Sequence, residues 1–374
     1  MSNYITNVSI KDFLVFKGEF NAEFCPGVNV LIGGNGTGKT TLMKVLYRMC
    51  RENDLKNHTG DYFFSHNNGR FEFDYEFEYL KMQAMSNEKL QKICVKSIRL
   101  NFRGESGDHD TVLQDRKWVA FDSLNYEDSF TDSKATIMGD LQTEIVFTSE
   151  NYKPIPAIFA PVYDMLSHSQ GLLPMLDSYV MDFDTTQIDV LRIAQRPITR
   201  ELKPNCKNII GKITNVIDGE VQFDGDRFFV IKKNGLKVEF ALEASGLKRL
   251  GLLWKLLRNG LLESGTVLFW DEPEASINPE NIPLLVDILL ELQRGGVQIF
   301  VATHSYDIAR WFELNKADEN SLRYFNMRKD GAGIVADVAD SYKSLPSSSI
   351  RDAGNSLLRR VSEVAAGKPR VNVS

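Results

Sequence analysis

Cysteine is scarce in this chain, and long apolar runs are absent. The 374 residues include four scattered cysteines, Cys25, Cys50, Cys94 and Cys206, and no two of them form a C-x-x-C pair. This spacing indicates neither a zinc site nor a disulfide framework. No apolar run approaches the ~18 residues of a membrane helix, and the first residues lack the basic stretch and apolar core of a secretory signal. The sequence therefore predicts a cytoplasmic protein without a membrane partner.

The charge balance also limits the classes of partner. Lys and Arg number 44 against 50 Asp and Glu, which gives a formal net charge of −6. Hydrophobic residues make up 43% and charged residues 25%, an ordinary globular composition. An acidic average is not typical of a protein coated in nucleic acid, although a local basic patch would still allow DNA binding.

An octapeptide at residues 33–40, Gly-Gly-Asn-Gly-Thr-Gly-Lys-Thr, fits the phosphate-binding pattern G-x-x-x-x-G-K-[ST]. An apolar run precedes it and a segment with helical spacing follows, so a strand, a glycine turn and a helix stand in the order that the motif requires. Glycines let successive N–H groups point at an anion, and the helix N-terminus adds partial positive charge. Lys39 is predicted to reach the β- and γ-phosphates of ATP, and Thr40 to hold Mg²⁺ through its hydroxyl. The nucleotide-binding residues predicted here are Gly33, Asn35, Gly36, Thr37, Gly38, Lys39, Thr40 and Thr41.

A pair of acids follows a second apolar run, far along the chain. Residues 266–274 read Thr-Val-Leu-Phe-Trp-Asp-Glu-Pro-Glu, in which four apolar residues predict a buried parallel strand. Taken alone, an apolar strand that ends in Asp-Glu usually has a structural role and not a catalytic one. Paired with the octapeptide, Asp271 is predicted to hold Mg²⁺, and Glu272 to act as general base on the attacking water.

Two further segments carry candidate site residues. Ser245 and Gly246 stand at the start of a predicted helix whose N-terminus could bind a phosphate, and the plain alternative is a Ser N-cap. Residues 299–304 predict another buried strand, which ends at His304. This histidine could hydrogen-bond a γ-phosphate or position water, although a lone histidine is more often structural.

Alternating hydrophobicity predicts β-structure in the first part of the chain. Two or three strands are predicted within residues 3–32. Strict alternation over 71–79, with weaker alternation over 95–103 and 142–147, predicts a β-rich lobe at 61–150.

The remainder predicts a short helical segment and a hairpin. Helical spacing broken by prolines predicts a helical insert at 164–217. Asn234-Gly235 between two alternating runs predicts a β-hairpin. The expected division is an N-terminal part of one domain at 1–163, the insert, and a C-terminal part at 218–374.

In this order, the segments resemble the soluble ABC-type ATPases of the RecF/SMC/OLD-like group. By that resemblance the octapeptide is the Walker A motif, Ala-Ser-Gly at 244–246 the ABC signature, and the Asp271 strand Walker B. Ala275 to Pro279 would be the D-loop, and the segment at His304 the H-loop. The resemblance implies an α/β fold: an ABC-type P-loop NTPase head with a mixed sheet, a β-rich lobe and a short helical insert.

The chain departs from the group's pattern in three places. The signature reads Ala-Ser-Gly-Leu-Lys rather than Leu-Ser-Gly-Gly-Gln, but it keeps Ser245 and Gly246. No glutamine directly follows the central strand predicted at 157–161; Asp164 is a candidate to replace it, and Gln170 a weaker one. No acidic nuclease cluster follows the H-loop. The chain thus resembles the ATPase part of an OLD-like protein without its nuclease.

The resemblance covers about residues 1–50 and 240–310 well, and the middle in outline. It implies a Mg²⁺-dependent ATPase that works as a homodimer or higher homo-oligomer, with Lys39, Glu272 and His304 as catalytic residues. The Ser245 of one subunit would complete the site of the other.

The biological role stays open among three hypotheses. One is the sensor or scaffold ATPase of an anti-phage defence system with a separate effector protein. Another is a RecF-like repair or recombination ATPase that binds DNA. A third is a non-hydrolysing, nucleotide-gated binding module, which Glu272 and His304 disfavour. The short insert, the lack of a coiled coil and the acidic charge favour the first.

Overall fold

The computed structural model describes residues 3–50, 70–75, 79–86, 89–105, 143–150, 155–178, 183–316, 321–331, 333–346 and 348–366. Its strands are β1 (Asn3–Phe13), β2 (Phe16–Glu23), β3 (Val28–Gly33), β4 (Arg70–Tyr75), β5 (Tyr79–Ser86), β6 (Lys89–Glu105), β7 (Thr143–Glu150), β8 (Ala157–Ala160), β9 (Gly219–Asp224), β10 (Arg227–Lys232), β11 (Lys237–Glu239), β12 (Val267–Asp271), β13 (Gln298–Ala302), β14 (Leu322–Asp330) and β15 (Gly333–Ala339). Its α-helices are α1 (Lys39–Met49), α2 (Leu172–Ser178), α3 (Thr185–Ala194), α4 (Pro204–Ile217), α5 (Ser245–Arg258), α6 (Ile282–Arg294), α7 (Tyr306–Asn315) and α8 (Ser349–Ala365).

A six-stranded central sheet has the order β15-β14-β3-β13-β12-β8. Every neighbouring pair is parallel except β14 and β15, which are antiparallel. β3, β12 and β13 are buried along their whole length, because parallel strands covered on both faces read as continuous apolar runs. The predicted α/β fold with a mixed sheet is confirmed.

The two faces of the central sheet bury different partners. Leu31, Phe269 and Phe300 belong to one core with the apolar residues of α1, β1 and β2. The rings of Phe269 and Phe300 stack with centroids 4.9 Å apart. Trp270 and Val301, one residue further along the same strands, belong to the other core with α3 to α7. Successive side chains of a strand point to opposite faces, so each apolar run serves both cores.

An antiparallel sheet has the order β2-β1-β5-β6-β4, with β7 also paired to β6. The strand predicted over 71–79 coincides with β4 and the start of β5, which pair antiparallel with β6 in the same register: Tyr75 lies opposite Leu100, and Leu80 opposite Val95. Residues 76–78 lie outside the described residues. β6 and β7 coincide with the two weaker alternating stretches. Because β1 pairs with both β2 and β5, the described strands of the predicted lobe extend a sheet that begins at residue 3.

The segment predicted as a helical insert holds α2, α3 and α4. Their buried residues, among them Leu191 and Ile213, join the core on one face of the central sheet.

The predicted hairpin is confirmed: β9, β10 and β11 form a three-stranded sheet, and Gly235 has φ 85° at the turn. The amphipathic helix α8 was not predicted. In the described part of the chain, no helix has both the length and the apolarity that a membrane span requires. The proposed domain boundaries remain a prediction.

Candidate nucleotide-binding site

The octapeptide links the buried strand β3 to the first turn of α1. Gly36 and Gly38 have φ values of 70° and 82°, in the left-handed region that favours glycine. A Cβ on Gly33 would lie 2.2 Å from the carbonyl oxygen of Met327 on β14, so the approach of that strand also requires glycine. The glycines therefore determine both the backbone conformation of the loop and its packing against β14.

Three other residues of this segment, Thr37, Asn35 and Thr41, differ in how far they are buried. Thr37 is buried and donates its hydroxyl to the carbonyl oxygen of Gly34 at 2.9 Å, which closes the loop on itself. Asn35 is exposed at the tip, and Thr41 is half-buried on α1. The tip of the loop is thus open to a ligand while its base is fixed.

Lys39 is buried at the start of α1, and its ammonium turns back onto the loop. It donates to the carbonyl oxygens of Gly33 at 2.9 Å and Gly34 at 2.8 Å. Burial lowers the pKa of Lys39, and the carboxylates of Asp271 and Glu272 oppose that shift. An anion held by the loop would therefore lie within reach of a partly desolvated cation.

Thr40 and Asp271 bring α1 and the end of β12 together. The Thr40 hydroxyl donates to the Asp271 carboxylate, with oxygen–oxygen distances of 2.9 and 3.2 Å. Burial raises the pKa of Asp271, and the hydrogen bond from Thr40 opposes that shift. No group of three or more His, Cys, Asp or Glu residues that could hold a metal occurs in the described residues. One hydroxyl and one carboxylate fit Mg²⁺, which commonly takes few protein ligands beside substrate phosphates.

Glu272 and His304 face each other from the ends of neighbouring strands. The Nε2 of His304 lies 3.6 Å from Oε1 of Glu272, and both side chains are about one-third exposed. Glu272 has φ 44°, an unusual value for a residue with a side chain, while its N–H donates to the Ala302 carbonyl at 2.9 Å. Burial and the charge of Lys39 lower the pKa of His304, and Glu272 opposes them.

Glu274 is a site residue that sequence reasoning missed. Its Oε1 accepts hydrogen bonds from the Thr303 hydroxyl at 2.5 Å and the His304 N–H at 3.2 Å. Burial raises its pKa. Glu274 thus ties the loop carrying His304 to the segment carrying Glu272. Its partners lie 29 and 30 residues further along the chain, just after β13, so no local pattern could reveal the link.

Ser245 and Gly246 begin α5 on a separate surface. The N-cap is Ala244, which makes no side-chain capping bond, so the alternative that Ser245 is a plain N-cap is wrong. A Cβ on Gly246 would lie 2.7 Å from the Ser276 carbonyl oxygen, so glycine permits the close contact with the segment after β12. Ser245 is exposed and lines a cavity of about 650 Å³ with Tyr163 but with no residue of the octapeptide.

The two candidates for the missing glutamine, Asp164 and Gln170, both follow β8. Asp164 accepts hydrogen bonds from the N–H groups of Leu166 at 3.1 Å and Ser167 at 3.3 Å, and it lies 3.5 Å from the Lys248 ammonium. Its carboxylate therefore holds the turn after β8. Gln170 is exposed.

Arg249, a second residue that the sequence did not reveal, joins α5 to the segment after β8. Its buried guanidinium donates to the carbonyl oxygens of Pro161 and Val162. Burial lowers its pKa, and the carboxylates of Asp164 and Asp271 oppose that shift. This contact couples the position of α5 to the edge strand of the central sheet.

Most of the chain matches one protein family. The family described as "AAA domain, putative AbiEii toxin, Type IV TA system" matches residues 28–309, which is most of the chain. The chain belongs to this family. The matched region of this AAA-family protein contains the octapeptide, Ser245, the two acids of β12 and His304. No curated protein matches the chain.

Solved structures give the fold. The SmcHead bound to the C-winged helix domain of ScpA is 12% identical, over 91% of this chain and 99% of that one, with a TM-score of 0.51. An SMC head domain from Thermotoga maritima is 11% identical over 90% and 98%, with a TM-score of 0.43. An Smc head from Pyrococcus furiosus with an extended coiled coil, bound to the C-terminal domain of ScpA, is 9% identical over 96% and 100%, with a TM-score of 0.46. The predicted ABC-type P-loop NTPase fold is confirmed.

Proposed function

We propose that this AAA-family protein is a Mg²⁺-dependent ATPase that dimerises around ATP and whose cycle controls a separate effector protein in an anti-phage defence system. The observation that carries the ATPase assignment is the pairing of Glu272 with His304 at 3.6 Å, beside the Thr40–Asp271 contact and Lys39. A nucleotide-binding loop alone would support binding, whereas an acid and a histidine at adjacent strand ends support hydrolysis.

Each residue has a role that its geometry supports. The loop N–H groups and Lys39 bind the phosphates, and Thr40 with Asp271 would hold Mg²⁺. When bound, Mg²⁺ would neutralise charge on the β- and γ-phosphates. Glu272 accepts the proton of the attacking water, and a neutral His304 fixes the position of that water or of a γ-phosphate oxygen. The lowered pKa of His304 supports the neutral form.

A second subunit would complete the site. Ser245 is exposed at the start of a helix, where unbonded N–H groups can bind a phosphate. Leu242 and Tyr163, near this helix start, are 78% and 71% exposed. Exposed apolar side chains of this size favour a surface that another subunit covers.

An effector protein is the partner that the available features support best. The family description names a toxin of a Type IV TA system. A structure of the same fold has been solved with a ScpA domain bound to the head. The net charge of −6 favours a protein partner over DNA. Because the proposed activity consumes ATP, we expect the protein to act in the cytoplasm.

Glu272→Gln tests the ATPase assignment, since it keeps the side-chain shape but removes the base. We expect phosphate release to fall by about 10²–10⁴, the usual loss for such a group, while ATP stays bound. Phosphate release and filter binding of radiolabelled ATP measure the two effects. Glu280→Gln, at an exposed acid of the same region, is the matched control and should retain wild-type turnover.

Co-purification tests the partner. The Glu272→Gln protein, which would retain ATP, should enrich the effector relative to Lys39→Ala when both are expressed with their genomic neighbours. ATP-dependent binding of DNA without an enriched protein would favour the RecF-like role instead. Wild-type turnover by Glu272→Gln would contradict the ATPase mechanism itself.

A further inference from the structure

A cavity of about 720 Å³ lies away from the nucleotide site, between the C-terminal part of α5 and the β9–β10 hairpin. Its charged lining residues are Arg196, Glu220, Lys232, Lys233 and Lys255. The volume is in the range of small-molecule sites, and nothing in the proposed ATPase cycle uses it.

Lys255 is the unusual group in this cavity. Its side chain is buried, with 3% of the residue exposed, and its ammonium makes one long hydrogen bond, 3.3 Å to the carbonyl oxygen of Arg196. Within the described residues, no carboxylate pairs with Lys255, and burial together with the cation of Arg258 lowers its pKa. Burying an ammonium without a counter-ion is unfavourable, so an anion bound beside Lys255 would stabilise its charged form.

The two neighbouring lysines of the cavity, unlike Lys255, have carboxylate partners in addition to hydrogen bonds. Lys232 lies 2.7 Å from the Glu243 carboxylate and donates to the Ile217 carbonyl at 3.0 Å. Lys233 lies 3.9 Å from Asp218 and donates to the Asn215 side chain at 2.9 Å. Acidic partners were therefore available to this surface, and Lys255 has none of them.

Two exposed residues at the cavity have opposite charges. Arg196 is exposed, and its side chain forms no ion pair within the described residues. Glu220, the carboxylate among the lining residues, is also exposed, so water and salt screen its charge. The buried charge of protonated Lys255 is screened much less, so it would attract an anion into the interior of the cavity.

The rest of the wall is largely apolar. Phe223 and Ile231 are half-buried, and Ile198 is 47% exposed. The Trp254 N–H already donates to the Thr214 hydroxyl at 2.8 Å, so its ring adds an apolar surface. We propose that this cavity binds a small organic anion, with a phosphate or carboxylate group against Lys255 and Arg196 and an apolar body against Phe223 and Ile198.

Calorimetric titration with three probes tests the proposal. Phenyl phosphate, benzoate and uncharged benzyl alcohol share an aromatic ring and differ in the anionic group. We expect one or both anions to bind the wild-type protein and benzyl alcohol not to bind. Preference for phenyl phosphate would identify a phosphate ester as the ligand class, and preference for benzoate a carboxylate.

Lys255→Met is the decisive variant, since it keeps the length of the side chain and removes the charge. We expect the Kd for the preferred anion to rise at least tenfold, while the melting temperature without ligand stays the same or rises. Lys207→Met, an exposed lysine on α4 outside the cavity, is the matched control and should bind as the wild type does. A phosphate bound at the octapeptide would be unaffected by either variant and so cancels in the comparison.

The proposal has clear contrary outcomes. It is overturned if neither anion binds the wild-type protein at millimolar concentration, or if Lys255→Met binds with wild-type affinity. A drop in melting temperature without ligand would show that Lys255 is a structural residue held by the Arg196 carbonyl. If Lys255→Met fails to fold, Arg196→Gln at the exposed rim replaces it, and wild-type affinity in that variant also overturns the proposal.

Discussion

One carboxylate oxygen of Glu274 connects two strand ends of the site. Because Gln keeps an acceptor oxygen, we expect Glu274→Gln to retain ATP turnover within about threefold. Glu274→Ala leaves the Thr303 hydroxyl and the His304 N–H without their acceptor, which costs on the order of 1–3 kcal/mol of stability and misplaces His304. Steady-state kinetics should show a fall in kcat of about tenfold or more for Ala, with a smaller change in KM.

The pH profile separates positioning from simple destabilisation in these variants. If Glu274 acts through His304, the acid limb of kcat should move in Glu274→Ala and stay in place in Glu274→Gln. Equal kinetics for the two variants, or a stability loss in Ala with an unchanged pH profile, would show that Glu274 has no positioning role.

His304 should titrate below its ordinary value of about 6.5, because burial and Lys39 both disfavour its protonated form. The effect of Glu272 on the pKa of His304 can be tested separately. Glu272 favours the protonated form, so Glu272→Gln should lower the pKa further. An NMR titration of the histidine ring protons, assigned with His304→Gln, measures both effects. A midpoint above 6.5 in the wild-type protein would contradict this account of the site.

Single residues were the most predictable part of the site. Lys39 and Thr40 stand in the octapeptide, and Asp271, Glu272 and His304 stand at or just after the end of a short apolar strand, so local patterns reveal all five. The structure brings the first four together and pairs His304 with Glu272. Glu274 and Arg249 could not be found in this way, because their roles depend on partners in distant segments that only the fold brings close.

At the scale of elements, the start of α5 is held by one close backbone contact. Gly246→Ala would place a Cβ 2.7 Å from the Ser276 carbonyl oxygen, so the helix and the segment after β12 must separate. We expect a stability loss of about 1–3 kcal/mol and reduced ATP turnover. Gly211→Ala on α4 is the matched control, because no atom lies within 4 Å of its added Cβ.

That control should change stability in the opposite direction. Replacing glycine by alanine inside an exposed helix adds up to about 1 kcal/mol when nothing clashes. Chemical denaturation of both variants measures the difference. Equal stability of Gly246→Ala and Gly211→Ala would mean that the α5 contact gives way without cost.

Strands were predictable one by one, but their neighbours were not. The apolar runs at β3, β12 and β13 indicate burial on both faces, and the Asn-Gly pair fixes the β10–β11 turn. The alternation over 71–79 indicates strand structure, but it does not specify that β5 pairs with β1. The pairing of β3 with β14 joins segments from opposite ends of the described chain, which periodicity alone cannot specify.

For the whole molecule, assembly should depend on ATP. Because Ser245 lines no cavity with the octapeptide of its own chain, we expect two subunits to close around the nucleotide. Light scattering on Glu272→Gln protein should give twice the mass with ATP and Mg²⁺ as without them. Ser245→Arg in the same background should remain monomeric with ATP, because a bulky cation blocks the helix start while leaving the fold intact. An unchanged mass on adding ATP would refute the closed dimer.

The place of β3 between β13 and β14 has a consequence for how the protein is made. The strand that leads into the phosphate-binding loop leaves the ribosome well before both of its hydrogen-bonding neighbours, β13 (Gln298–Ala302) and β14 (Leu322–Asp330). Until Met327 has been synthesised, β3 has an unpaired apolar edge, the kind of exposed strand that aggregates. We therefore expect nascent chains to gain the capacity to bind ATP abruptly once β14 has been made, and to need a chaperone before that point.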